Sequence, residues 1–458
     1  MSGTRLTTRC ETGQTNLRSR RGICMRITFR PGAIAATAAG GLAVAGLGTT
    51  APALAAPITV NVPCSATALA GAISGAVGGD VLQLAGNCTY LLSSALPQVT
   101  VGLTIQGSPT STIEWGYPGS FPLLWVGTSD GLTVSHVNFK DGDAPYGGAI
   151  YGKSGPVTVN GGTFSGNTAT TEGGAIDNDD GLTVTGATFS GNSAESGGAI
   201  GSEDTSSVQN STFTGNTGTY GGALYNHGDA TVSNSTFTGN STGTYGGAIE
   251  VVGPAISTLN KDSFTKNSAE YGGGIEVEGG TLHVNTGYFQ QNTATDEGGG
   301  VSNYGRMTLD NTTFNANNGG GHGGGFYNTG QATVNKIVLA RNTATDGGGI
   351  FVDNAMTLNG GLFIGNAASY RGGGIYNTDF LTIGGTTLQQ NTASSGGGGI
   401  YNTSVVDLTG SKVVYNHAPA GEGGGIYNGY IVNLTGTTVR FNTANNCSPS
   451  LSVSGCTG

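Results

Sequence analysis

Acidic side chains recur at one station of this chain: Glu172, Glu195, Glu270, Glu297, Asp346 and Glu422 all fall at or next to the start of a Gly-Gly step. Carboxylates projecting from one edge could bind Ca2+ weakly, since oxygen ligands suit a hard cation, or repel anionic surfaces. The plainer expectation is a solvated turn edge with no cofactor. A second chemistry, acid–base cleavage of a glycosidic bond, needs carboxylates brought together. Asp179-Asp180, Gly321-His322-Gly323 and Asn377-Thr378-Asp379 have suitable residue types. About 140 residues separate the first from the second, so these fragments are not expected to converge. His136, His227, His283, His322 and His417 show no metal-ligand spacing. Basic residues after position 55 are mostly singletons; the pairs Lys261 with Lys266 and Lys336 with Arg341 lie away from any acid cluster.

What must position these groups is set by composition. Glycine supplies 86 of 458 residues, the hydrophobic share is 36% and the charged share 10%. Each glycine inside a helix costs about 1 kcal/mol relative to alanine, which disfavours a helical bundle. Too few prolines and too much apolar side chain exclude collagen and a charged disordered tail. A repetitive all-β fold with many tight turns tolerates such a chain.

The chain repeats. Gly-Gly followed by a small and then an apolar residue recurs at Ile150, Ile176, Ile200, Leu224, Ile249, Ile275, Val301, Phe326, Ile350, Ile375, Ile400 and Ile426, at spacings of 24 to 26 residues. In phase with it, Phe164, Phe189, Phe213, Phe237, Phe264, Phe289, Phe314 and Phe363 precede Asn167, Asn192, Asn216, Asn240, Asn267, Asn292, Asn317 and Asn366 by three positions. At Leu339, Leu388, Val413 and Val439 the aromatic residue is replaced, yet Asn342, Asn391, Asn416 and Asn442 persist. Such a period signals a solenoid.

A 25-residue unit holding short β-branched stretches such as Leu182-Thr183-Val184, bounded by Gly, Asn and Ser, fits three strands and three turns of one parallel β-helix coil. Stacking then points the recurrent Ile and Phe inward and makes the twelve asparagines a structural ladder whose amides pair from coil to coil. Tyr151, Tyr225, Tyr327, Tyr376, Tyr401 and Tyr427 follow the inward apolar residue and are expected to face outward as a cross-strand row. Residues 56–98 read as an N-terminal cap with a helix over Ser65 to Val77, its Leu69, Ile73 and Val77 on one face. Residues 99–442 read as the β-helix and 443–458 as a C-terminal cap loop. Cys64, Cys88, Cys447 and Cys456 suggest two local disulfides, paired by proximity as Cys64 with Cys88 and Cys447 with Cys456.

Residues 1–55 read as a secretory signal, with seven arginines, the apolar run Ala33 to Leu47 and the small-residue site Ala53-Leu54-Ala55; Met25 is an alternative start. The expectation is therefore an extracellular protein that leaves no membrane insertion after cleavage. The remaining 403 residues carry 10 basic and 26 acidic side chains, a balance that argues against nucleic acid and anionic lipid as partners.

The paired elements Gly173-Gly174-Ala175-Ile176 and Phe189-Ser190-Gly191-Asn192 resemble the repeats of chlamydial polymorphic outer-membrane proteins, and related right-handed parallel β-helix repeats of bacterial surface and secreted proteins. The resemblance implies a right-handed β-helix and, for the chlamydial branch, adhesion. Proteins of that branch end in an outer-membrane β-barrel, whereas 16 residues follow Asn442, so a released protein is expected. The functional expectation is a monomeric, non-enzymatic adhesin-like or structural protein, its partner a cell-surface polysaccharide or protein. The alternative is a polysaccharide lyase or glycoside hydrolase of the pectin-degrading β-helix type.

Overall fold

The computed structural model describes residues 56–116, 119–449 and 453–456. The expected secretory signal, residues 1–55, lies outside the described residues. From residue 56 onward the chain winds as an all-β parallel solenoid with one short helix. Each coil contributes to a long wall, as in Leu182–Thr185 and Thr188–Ser190, and from Leu124–Gly127 onward also to a short wall, as in Ile176–Asn178. A third wall is less regular and includes Thr168–Glu172.

Among the described residues, sixteen strands follow one another along the first half of the long wall, from Thr59–Val62 to Ile431–Thr435, each paired in parallel with the next. The ladder thus begins inside the segment expected to be a cap, 56–98, and has more coils than the twelve legible repeats. At the other end Cys447–Ser448 adds a rung to the short wall against Ile426 and Tyr427.

The register explains the repeat. Ile150, Ile176, Ile200, Leu224 and Ile249 are direct partners along the short wall, all buried. Phe139 to Phe314 form a continuous interior stack with ring centroids 4.7 to 5.0 Å apart and planes within 17°. That separation is the strand spacing of a sheet, so identical rings at one station meet face to offset face. The kink between third and short walls requires glycine: Gly173 has φ +60°, and a Cβ on Gly174 would sit 2.1 Å from the Gly198 carbonyl oxygen.

At the N-terminal end the helix spans Ala66–Gly75, capped by Ser65, and buries Leu69 and Ile73. It stops short of Val77, whose backbone N–H donates instead to buried Asp80 at 2.9 Å. The disulfides pair Cys64 with Cys88 and Cys447 with Cys456, Cα atoms 5.7 and 6.3 Å apart.

Candidate functional site

The asparagine ladder is continuous. From Asn167 to Asn442 each side-chain Nδ2 donates to the Oδ1 of the asparagine one coil on, at 2.9 to 3.1 Å. The second Nδ2 hydrogen donates to a carbonyl of the preceding coil, as from Asn292 to Phe264 at 2.9 Å. These amides are buried and fully engaged with one another, so their role is to close the coil.

A second ladder went unread in the sequence. Asn303 donates to Asn328 at 2.7 Å, Asn377 to Asn402 at 2.9 Å and Asn402 to Asn428 at 3.1 Å, inside the corner after the short wall. Its signal was an asparagine two residues after the Gly-Gly apolar residue, as in Ile400-Tyr401-Asn402.

The outer side of the short wall meets the ends of the third-wall segments along a seam that runs from coil to coil. One column of this seam, largely buried, reads Trp125, Tyr151, Asp177, Gly201, Tyr225, Glu250, Glu276, Ser302, by strand register. Facing it, Glu172, Ser196, Tyr220, Tyr245, Tyr271, Glu297, His322 and Asp346 are successive third-wall partners.

This arrangement corrects two expectations. The acids do not form one row: Glu172, Glu297, Asp346 and Glu422 share the third-wall column, whereas Glu195 and Glu270 stand one residue earlier, on the opposite side of an alternating strand. The tyrosines do stack from coil to coil as the expected cross-strand row, but part of that row is covered rather than facing solvent. Tyr327, Phe351 and Tyr376 are buried beneath the third wall, and Tyr376, Tyr401 and Tyr427 stack at 5.2 and 4.5 Å, spending their faces on one another.

Sequence reasoning did not find what the seam assembles around Asp177. Asp177 is 2% exposed, and its Oδ1 has no hydrogen-bond partner. Gly201, on the next rung, has no side chain, and Glu172 fills the vacated space: a Cβ there would lie 2.2 Å from Glu172 Cγ. Across the corner, His227 Nδ1 bonds Glu203 Oε1 at 3.0 Å, and Tyr225 Oη lies 3.0 Å from His227 Nε2. Burial, with the Glu172 charge next, pushes the Asp177 carboxyl up to about 9. Burial and then the Glu203 charge push Glu172 up to about 7. The hydrogen bond from His227 holds Glu203 below its usual range, and the same bond raises His227. Asp179 is raised, chiefly by burial.

The tripeptides Asp179-Asp180, Gly321-His322-Gly323 and Asn377-Thr378-Asp379 stay apart. Six rungs separate the Asp177 strand from that of Phe326–Asn328, about 29 Å at the spacing of paired strands. Asn377 points inward as a ladder member, and Thr378 bonds Asp353 at 2.6 Å. Among the described residues no group of three or more His, Cys, Asp or Glu has the geometry to hold a metal ion.

Residues 122–294 match the family described as right handed beta helix region, which fixes the sense of the winding. The coil is a right-handed parallel β-helix. Within this β-helix, residues 385–403 match the Chlamydia polymorphic membrane protein repeat. No curated protein matches the chain.

Proposed function

We propose that this chain is an exported, surface-type β-helix protein that binds a polysaccharide along its coils without cleaving it, as an adhesin-like module. The observation that supports this reading is the pair of residue columns running along the coil axis, in which Trp125, Tyr151 and Tyr225 share a column with Asp177, Glu250 and Glu276 while Tyr220, Tyr245 and Tyr271 share the facing one with Glu172 and Glu297. A row of residues parallel to the coil axis suits a linear polymer, and aromatic rings beside polar groups are what sugar-binding surfaces need, one apolar face and directed hydrogen bonds. The match to the polymorphic membrane protein repeat supports a surface-type protein, and the arginine-rich leader supports export.

A second reading draws on one specific feature. Glu172 is raised and Glu203 lowered by neighbouring environments, the division that separates a general acid from a base in hydrolases. Incubation of the protein with a panel of uronate, neutral and amino polysaccharides, recording retained protein and released chain ends together, separates the two. Retention without new ends is the expected result. New reducing or unsaturated ends would replace binding by cleavage, and neither signal would remove polysaccharide as the partner.

A further inference from the structure

The basic pairs Lys261 with Lys266 and Lys336 with Arg341 fall on one surface. The second half of the long wall, the strip that contains Thr188–Ser190, runs between two corners of each coil. Lys261 and Lys336 occupy its first corner three rungs apart, and Lys266 and Arg341 its second corner at the same separation. Lys412 and Arg440 stand on the strip itself, six and seven rungs from the Lys266 coil. All six are exposed, and none forms an ion pair among the described residues. Over these eight coils the strip and its corners carry one carboxyl group, Asp262, which is buried and accepts from the Ser235 and Asn260 backbone N–H groups at 2.7 and 2.8 Å. Asp310, beside the first corner on the other half of the wall, accepts from Asn335 Nδ2 at 2.8 Å. Six of the ten basic side chains after residue 55 therefore share a face without an exposed acid, in a chain of net charge −10. Four of them hold their places against backbone preference: Lys261, Lys266, Lys336 and Arg341 have φ between 51 and 60°, at corners where other coils carry Gly360, Gly365, Gly385 and Gly410.

We propose that this strip binds an acidic polysaccharide laid along the coil axis, its carboxylate or sulfate groups meeting the cations; the proposal names the polymer class for the binding reading above and rests on it. Ammonium and guanidinium groups donate only, the complement of anionic oxygens. The six cations extend over seven rung spacings, about 34 Å, and the two corner pairs lie about 14 Å apart along the axis. That spacing is sparse beside the one charge per about 1.7 Å of duplex DNA, so the strip favours a polymer whose charges are set apart by uncharged rings over a nucleic acid. Between the two pairs stands Tyr288, 38% exposed and with no aromatic partner among the described residues, so its ring is open to a sugar face. Thr265, Gln290, Thr313 and Asn315, partly exposed around it, offer hydroxyl and amide groups to sugar hydroxyls. The acids elsewhere on the chain repel a polyanion and confine it to this face.

The test is fluorescence anisotropy of end-labelled polymers titrated with the full chain at neutral pH and low salt. The probes are hyaluronan, dextran sulfate, unsulfated dextran and a single-stranded oligothymidylate. Expected is binding of hyaluronan or dextran sulfate about tenfold or more tighter than dextran, weakening as salt rises; the tighter of the two assigns the strip to carboxylate or to sulfate. Replacing Lys266→Gly and Lys336→Gly together, which puts at each corner the residue other coils carry there, should weaken the tighter probe about tenfold. Arg306→Gln, which removes a cation from the other half of the wall, should leave it unchanged. Thermal melting of each variant checks folding, and Lys412→Gln, within a regular strand, gives a second reading should the double variant not fold. No loss in either strip variant, or an equal loss in Arg306→Gln, would overturn the proposal. So would oligothymidylate binding as tightly as the better acidic polysaccharide. Binding of dextran with no preference for the acidic probes removes this inference and leaves the binding reading standing; no binding of any polysaccharide removes both.

Discussion

Glu172 lies across Gly201, occupying the volume a side chain on that rung would fill, with its Cγ 2.2 Å from where a Cβ would stand. The glycine is outside the Gly-Gly motif and does not serve a turn; its absent side chain is what admits a carboxyl group to the space over this rung. Gly201→Ala is therefore expected to drive Glu172 outward into solvent. Its pKa, about 7 through burial, should return toward the ordinary value of 4.5. Carbon-detected NMR titration of the glutamate side chains reads this directly; an unchanged Glu172 midpoint would show that the glycine does not set its burial.

Asp177 and Glu172 make the stability of the fold depend on pH. Their folded-state values, about 9 and about 7, lie above the ordinary values of 3.8 and 4.5. The folded chain therefore holds protons that the unfolded chain has released. The stability they contribute is complete below about pH 4 and is lost as pH rises through 7 and then 9. Lowered Glu203 acts in the opposite sense, at pH below its usual range. Asp177→Asn keeps a neutral side chain at every pH, so the variant should melt several degrees above the unsubstituted protein at pH 8 and close to it at pH 4. A gain of equal size at both pH values would mean that ionisation of Asp177 is not the cause.

The ladder and the cluster differ in how far the sequence discloses them. Phe264, Asn267 and Ile275 each have a copy one coil away, and a β-helix must place copies on top of one another, so period alone gives their direction and partners. Asp177, Glu203 and His227 stand where the repeat varies, on separate coils, and their approach depends on Gly201 being small and on the third wall closing over the short one. No single-coil pattern contains that information. The same closure buries Tyr327 and Tyr376, which alternation alone turns outward. The flanking coils at the N-terminal end lie outside the count of twelve because their stations carry Leu82, Ile105 and Ile113 without the asparagine or the double glycine.

Removing one amide from the middle of the ladder should cost more than removing the last. Asn292 accepts from Asn267 Nδ2 at 3.0 Å and from the Asn267 backbone N–H at 2.9 Å, and donates to Asn317 and to the Phe264 carbonyl. Asn292→Ala leaves several buried groups without partners, each worth about 1–3 kcal/mol. Asn442 is 9% exposed and followed by Asn446 rather than by another full coil. Urea unfolding should therefore show a larger loss for Asn292→Ala than for Asn442→Ala, and equal losses would mean that the ladder does not act through burial.

The turn before each ladder asparagine holds its residue in the left-handed region. Gly166, Gly191, Gly215, Gly239 and Gly365 occupy that station at φ between 61 and 64°, whereas Ala316 adopts φ 56° at the same place. A Cβ in this conformation costs roughly 1–2 kcal/mol, against a backbone-entropy penalty for glycine of roughly 0.5–1 kcal/mol. The Ala316 backbone N–H donates to the Ala340 carbonyl at 2.8 Å, a bond that glycine retains. Ala316→Gly is therefore expected to stabilise the fold by about 0.5–1 kcal/mol, the reverse of what a glycine does inside a regular strand. An unchanged or lower urea midpoint would show that the coil above and below, rather than the residue's own backbone preference, sets the energy of this turn.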